Sequence, residues 1–362
     1  MEKKKKIAVT AVFLVVILGL AAAHLLLPDQ MISSAERRKL EQIPQITAKD
    51  VFKGDYFQDL EKYLLDQFPM RQQFRTVKAL FQCDVLGMKD TNGLYYADGH
   101  LMKLENTFKE GQANLALGKI NAMIESHPEA HKVYYSVIPD KNYFLAEKNG
   151  YPVMDYTAAM QHISKIHGQY IDIFPTLTVD DYYRTDSHWR QESILPAAQA
   201  LAQAMGTVID GEDAYTSQMR DDFRGVYYGQ AALPVGSETL TVMNSAVTED
   251  AVVHSAEHKD VTSVYCWNEF DKVDPYDVYL SGAEALITLE NPHAAEDRHL
   301  ILFRDSFGSS IAPLLLSGYS KVTLVDLRYI ASPMVHEQVD FTDADVLFLY
   351  NVSMFNAGGT FK

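Results

Sequence analysis

His299-Leu300-Ile301-Leu302-Phe303-Arg304-Asp305-Ser306-Phe307-Gly308-Ser309-Ser310 carries the decision about the fold. The run His299 to Phe303 is continuously apolar and too short for a helix, as expected of a strand buried on both faces of a parallel sheet. A turn follows, and then a helix expected from about Phe307 to Leu316. Two more apolar runs lie downstream, Lys321 to Val325 and Asp345 to Tyr350. Upstream, a helix-like segment (Gly111 to Ser126), a β-rich run (Val133 to Ile138), a helix (Asp155 to His167) and a short strand (Tyr170 to Phe174) alternate in the same way. Strands alternating with helices predict an α/β domain in three layers with a mostly parallel central sheet.

The rest of the chain is organised around that core. Its 362 residues, 47% hydrophobic and 22% charged, exclude global disorder. Lys3 to Lys6 precede an uncharged apolar run from Ile7 to Leu27, 21 residues that suffice to cross a bilayer core of roughly 30 Å. Positive residues stay inside, which places the body outside the cytoplasm. Ala21-Ala22-Ala23 also offers a signal-peptide cleavage pattern, so residues 1–28 read as a membrane anchor, or as a leader whose removal would release a secreted protein. Residues 29–90 read as a helical stalk broken at Pro69, and residues 91–362 as the main domain. That domain opens with a hairpin signature around Asn92-Gly93 and Asp98-Gly99. Residues 206–296 lack the alternation and read as an irregular β-rich elaboration.

Composition narrows the function. The formal charge is −16, and with +3 on the first six residues the remainder carries −19, which argues against a nucleic-acid partner. Cys83 and Cys266, the 2 cysteines, cannot build a cysteine-ligated metal site, and spacing leaves open whether they pair. No cofactor or metal is implied. His254-Ser255-Ala256-Glu257-His258 has the spacing of an inverted zinc-protease motif, but its flanks look β-like where that chemistry needs a helix. His127 and His131 are separated by the helix-breaking Pro128 and read as surface histidines.

Two places could work together. In Tyr182-Tyr183-Arg184-Thr185-Asp186-Ser187-His188-Trp189 a carboxylate and an imidazole lie two residues apart, ahead of a helix-like run from Arg190 to Met205. Ser306 follows a strand and leads into a helix. A serine hydroxyl needs a base to take its proton, and the base needs a third group to fix its tautomer. Ser306, His188 and Asp186 fit those roles. A strand-to-helix turn would also aim backbone N–H groups, among them those of Phe307 and Gly308, at a developing oxyanion. Either motif alone can be a helix cap.

Taken together, these motifs resemble the DHHW family and the related alginate O-acetyltransferase J and X proteins, which are SGNH-hydrolase-like. The resemblance rests on Tyr183 to Trp189, Asp305 to Ser310 and Val325-Asp326-Leu327-Arg328-Tyr329. Pro139-Asp140-Lys141 and Phe223 to Gly229 add to it, and it covers roughly residues 50–362. It implies Ser306 as nucleophile, His188 as general base and Asp186 as orienting carboxylate, in the chain order Asp, His, Ser of the alginate type. The implied activity is O-acetyl transfer to a cell-surface or secreted polysaccharide, beside a membrane-bound O-acyltransferase. A polysaccharide O-acetylesterase and a non-catalytic carbohydrate-binding scaffold are the alternatives. Two positions depart from the pattern. Ser187 replaces the first His of Asp-His-His-Trp and is expected to point away from the pair, and Arg304 stands where Gly-Asp-Ser would have Gly. Arg328 reads equally as a supporting residue or as an ion pair with Asp326, and Asn351 as an oxyanion donor or a loop residue. Tyr182, Tyr183 and Trp189 offer a sugar platform or, equally, packing.

Overall fold

The computed structural model describes residues 2–257 and 261–362. It divides into two compact units, Met1–Thr91 with Gly229–Pro234, and Asn92–Tyr228 with Val235–Lys362.

In the first unit, α1 (Glu2–Leu26) has no buried residue and is long and apolar enough to cross a membrane, a property signal sequences share. A two-residue hairpin follows (β1, Ile32–Ser33; β2, Arg38–Lys39), then α2 (Ala48–Lys53), α3 (Asp55–Asp66) and α4 (Arg71–Leu80), which continues as a π-helical turn over Phe81–Val85. Gly54, at φ 86°, links α2 to α3 in the left-handed region that glycine tolerates. Pro69 lies between α3 and α4. Few apolar side chains are buried here. Ion pairs hold the unit instead: the Arg38 guanidinium forks onto Asp66 at 2.8 and 2.6 Å, and Arg71 and Arg75 both reach Glu36.

The second unit opens with the hairpin β3 (Leu94–Ala97) and β4 (His100–Lys103), turned at Asp98-Gly99. Then come α5 (Glu110–Glu125), β5 (Lys132–Ile138), α6 (Lys141–Leu145), α7 (Tyr156–Ile163), β6 (Gln169–Tyr170) and α8 (Leu195–Ala204). The middle of the chain gives β7 (Thr216–Phe223), α9 (Val226–Ala231), β8 (Glu238–Asn244), α10 (Ala246–Asp250), β9 (Val252–Ser255) and β10 (Leu286–Glu290). Last are β11 (His299–Arg304), α11 (Gly308–Leu315), β12 (Lys321–Val325), α12 (Ser332–Gln338), β13 (Asp345–Asn351) and α13 (Val352–Phe355). Seven strands form one sheet in the order β6-β5-β13-β11-β12-β10-β9. Its first five strands are parallel, while β10 runs against them and pairs antiparallel with both β12 and β9.

Alternation along the strands builds the layers. Leu300, Leu302, Val322, Leu324, Leu347 and Leu349 face one core, which includes residues of α8 and α11. Ile301, Phe303, Val325, Val346, Phe348 and Tyr350 face the other, with α5, α7 and α12. This is the expected three-layer α/β architecture with a mostly parallel central sheet.

Three expectations shift. The helix after Arg190 starts at Leu195, behind a 3₁₀ turn over Gln191–Ser193, because Pro196 is favoured in a first helical turn and excluded from a helix interior. The strand expected at Tyr170 to Phe174 is only Gln169–Tyr170, and Phe174–Thr176 is a 3₁₀ turn carrying Pro175. The 206–296 stretch is more than an elaboration, since its β10 pairs with β12 over five residues and its β9 closes the edge. Both cysteines are free thiols, Cys266 buried and Cys83 half-buried.

Candidate active site

Ser306 sits in the turn after β11, at the carboxyl end of the parallel strands, where helices begin and backbone N–H groups are unpaired. The buried carboxylate of Asp305 shapes that turn. Its Oδ1 accepts the Phe307 N–H at 2.9 Å, and its Oδ2 accepts the Asn351 N–H at 2.7 Å, which pins the ends of β11 and β13 together. Burial pushes the Asp305 carboxyl above the usual carboxylate range, against those two N–H donors. A Cβ on Gly308 would lie 2.5 Å from Arg304 Cβ, so glycine at 308 is what admits arginine at 304. The Arg304 side chain is fully buried, with Nη1 donating to Ser309 Oγ at 3.1 Å.

Across from the turn, residues 181–190 fold back on themselves through a Tyr182–Trp189 bridge and Tyr183 N–H to His188 O at 3.0 Å. The Glu238 carboxylate fastens this loop by accepting the N–H groups of Arg184 (2.6 Å) and Thr185 (2.7 Å). Asp186 Oδ1 accepts from His188 Nδ1 at 2.6 Å, and Oδ2 accepts the Val226 N–H at 2.7 Å. His188 Nε2 lies 2.7 Å from Ser306 Oγ. With a carboxylate on Nδ1, the proton belongs there, and Nε2 is left to accept from the serine hydroxyl.

The His188 ring is further fixed by the face of Tyr276, at a centroid distance of 3.9 Å and an interplanar angle of 9°. Tyr276 OH donates to Ser310 Oγ at 2.8 Å, and the same oxygen accepts Trp189 Nε1 at 2.8 Å. Tyr276 lies in a 3₁₀ turn (Pro275–Val278) of the irregular region, and no motif marks it in the sequence.

A cavity of about 200 Å³ opens beside Ser306. Its wall includes Lys141, Asp140, Ser187, Tyr227, Arg328 and Asn351. Lys141 Nζ donates to the carbonyls of Tyr183 (2.9 Å) and Arg184 (3.4 Å), and burial pushes its ammonium down to about 7. Ser187 lines this cavity and does not point away, because its Oγ turns toward Asp186 Oδ1 at 3.4 Å.

The remaining candidates divide. Phe307 and Gly308 do not offer free N–H groups: the first serves Asp305 Oδ1 and the second the Asp305 carbonyl at 3.1 Å. The Ser306 N–H, by contrast, donates to no group among the described residues. Asn351 caps α13 through its side-chain oxygen and gives Nδ2 to the Ile138 carbonyl at 3.1 Å. Arg328 forms a fork with Asp326, at 2.9 Å from Nε and 2.6 Å from Nη2, yet lines the cavity as well. The sugar platform is not formed: Tyr182, Tyr183 and Trp189 are at most 1% exposed, packed as core under the loop they belong to. His127 is buried too, against Phe341 and the His336 ring, so it is no surface histidine. His254 lies in β9, a strand, and its motif partner His258 is outside the described residues.

The DHHW protein family matches residues 175–325, which span Asp186 and His188 as well as Ser306. A DHHW family protein from Eubacterium siraeum superposes with a TM-score of 0.61 at 20% identity, over 75% of this chain and 95% of its own. Bacillus cereus PatB1, solved with a sulfonyl adduct, gives 0.57 at 17% identity over 72% of this chain and 94% of its own. A second PatB1 structure gives 0.56 at 16% identity, over 72% and 96%. At these identities the likeness is one of fold. No curated protein matches the chain.

Proposed function

We propose that the chain is an extracytoplasmic serine acyltransferase that moves O-acetyl groups onto a cell-surface or secreted polysaccharide. The observation that carries this reading is the continuous hydrogen-bonded series Ser306 Oγ, His188 Nε2, His188 Nδ1, Asp186 Oδ1 at 2.7 and 2.6 Å, at the mouth of a cavity. The motif resemblance supplies the acetyl group and the glycan. The apolar α1 supports an anchor with the body outside, and the same resemblance suggests a membrane-bound O-acyltransferase as partner.

In the mechanism, His188 Nε2 takes the hydroxyl proton as Ser306 Oγ bonds to the acetyl carbonyl carbon. The Ser306 N–H is the backbone donor left to meet the oxyanion. As the intermediate collapses, the donor's alkoxide oxygen leaves with the proton held on His188. An acceptor sugar hydroxyl then gives its proton to Nε2 as it attacks the acyl-serine carbonyl, and collapse breaks the acyl–Oγ bond while Nε2 returns the proton to Ser306, which yields the O-acetyl sugar and the free serine. Asp186 holds the ring and offsets the imidazolium charge throughout.

The test is incubation of the purified chain with a chromogenic acetyl ester, alone and with oligosaccharide acceptors, and with a sulfonyl fluoride in parallel. Release of chromophore, and sulfonylation that mass spectrometry maps to Ser306, are the expected outcomes. A chain inert to both reagents would leave the scaffold reading in its place.

A further inference from the structure

The first unit is held together by ion pairs and leaves much of its apolar surface outward. Asp66, Glu36, Arg38, Arg71 and Arg75 are the side chains that hold it together. Phe57, Leu64, Phe74, Val77, Phe81 and Val85 are left 44% to 66% exposed. Their spacing sets them in helical register: 57 and 64 share one face of α3, and 74, 77, 81 and 85 run as one stripe along α4 and its π-helical continuation. Phe68 and Phe74 meet edge to face at 5.5 Å, so the two stripes join across the Pro69 turn. A contiguous apolar face of this kind marks an interaction surface.

What covers it follows from how α1 is attached. His24 Nδ1 bonds to the Gln67 carbonyl just past the end of α3 at 3.2 Å, and its ring packs edge-on to Tyr63 at 5.6 Å. Tyr63 OH also reaches Asp29 at 3.1 Å. His24 lies within the apolar run, three residues before its last member, Leu27. At about 1.5 Å of rise per residue that is only ~4.5 Å inside the far edge of the run. With the apolar run of α1 spanning the hydrocarbon core, the carboxyl end of α3 is therefore held at the level of the lipid boundary. Between Lys53 and Asp90 the charges balance, six of each sign, so apolar contact and not net charge must supply the attraction.

We propose that α3 and α4 lie in the interfacial layer of the membrane, with this apolar face against the acyl-chain boundary, as a collar around the exit of α1. The proposal rests on α1 being a retained membrane span.

The full chain would be reconstituted in phosphatidylcholine vesicles carrying a diazirine on one acyl chain, photolysed, digested and mapped by mass spectrometry. Label is expected in α1 and also on peptides covering Phe57–Phe68 and Phe74–Val85, unchanged by salt. In the V77D/F81D variant the α4 label should fall at least about fivefold while α1 stays labelled and ester turnover is retained. Label confined to α1 overturns the collar and leaves the span intact; label in neither overturns both. An unlabelled face in a chain that runs as a dimer in detergent would assign the face to a second copy and overturn the proposal.

Discussion

Replacing Ser306 by Ala removes one hydroxyl from a half-buried turn, so the thermal midpoint should move little while acetyl-ester turnover falls by roughly 10³ or more. A Ser306→Ala protein that turns over ester at the parent rate would show that another group does the chemistry. Lys141 invites a different measurement. Its ammonium ordinarily titrates at 10.5, and burial in the folded protein brings it down to about 7. Between those two values the unfolded chain holds a proton that the folded chain has lost, so this residue makes stability rise with pH across that window. The burial penalty is fully present below about 7 and gone above 10.5. Urea midpoints measured from pH 6.5 to 10.5 should rise less steeply in Lys141→Met than in the parent, and parallel slopes would refute the assignment. At this scale the sequence was legible where chemistry clusters along the chain: Asp186 and His188 are two residues apart, and Ser306 follows a recognisable strand. Tyr276 reaches the site only through tertiary packing, 88 residues from His188, with no local pattern to mark it, whereas Lys141, 47 residues away, lies in the Pro139-Asp140-Lys141 stretch that carries part of the resemblance but nothing local shows that it lines the cavity. Tyr182, Tyr183 and Trp189 misled for a related reason, because being aromatic beside a motif does not say which way a loop faces.

The loop that carries Asp186 depends on a second element pressed against it. A Cβ on Gly225 would stand 2.3 Å from Asp186 Cβ and 2.4 Å from the Thr185 carbonyl carbon and oxygen, and backbone at that distance cannot give way cheaply. The next residue, Val226, donates its N–H to Asp186 Oδ2, so a shift of this segment disturbs the carboxylate twice. Gly225→Ala should therefore cost about 1–3 kcal/mol by urea unfolding, and turnover should fall by at least about tenfold with KM less affected. Unaltered kcat would mean that the contact is slack. Elements were readable in proportion to their burial. The strands β11, β12 and β13, covered on both sides, show as unbroken apolar runs and were placed within a residue of their ends. The edge strand β9 and its neighbour β10 carry Thr288, Glu290 and His254 among their apolar residues, and that mixture hid their place in the sheet.

For the molecule as a whole, the three layers follow from a helix–strand alternation that the sequence displays openly, whereas the choice between transfer and hydrolysis depends on what fills one cavity. Water competes at about 55 M, and a sugar hydroxyl wins only if the site holds it in line with the acyl carbonyl before reaction. The cavity beside Ser306 is about 200 Å³, and its lining includes the basic residues Lys141 and Arg328 and the acidic residues Asp140 and Glu105. That suits a polyhydroxylated ring better than an apolar ester tail, whether the ring is the acceptor of a transferase or the substrate of an esterase, so partition of the acyl group decides between them. With a radiolabelled acetyl donor and a panel of neutral and acidic oligosaccharides, most of the label should appear on one class of acceptor, with free acetate the minor product. The chain's −16 charge adds a handle: capture by an acidic oligosaccharide should speed up as salt screens the repulsion, while capture by a neutral one should not. Label found only as free acetate with every acceptor, from a protein that deacetylates polysaccharide efficiently, would replace the transferase by an esterase using the same three residues.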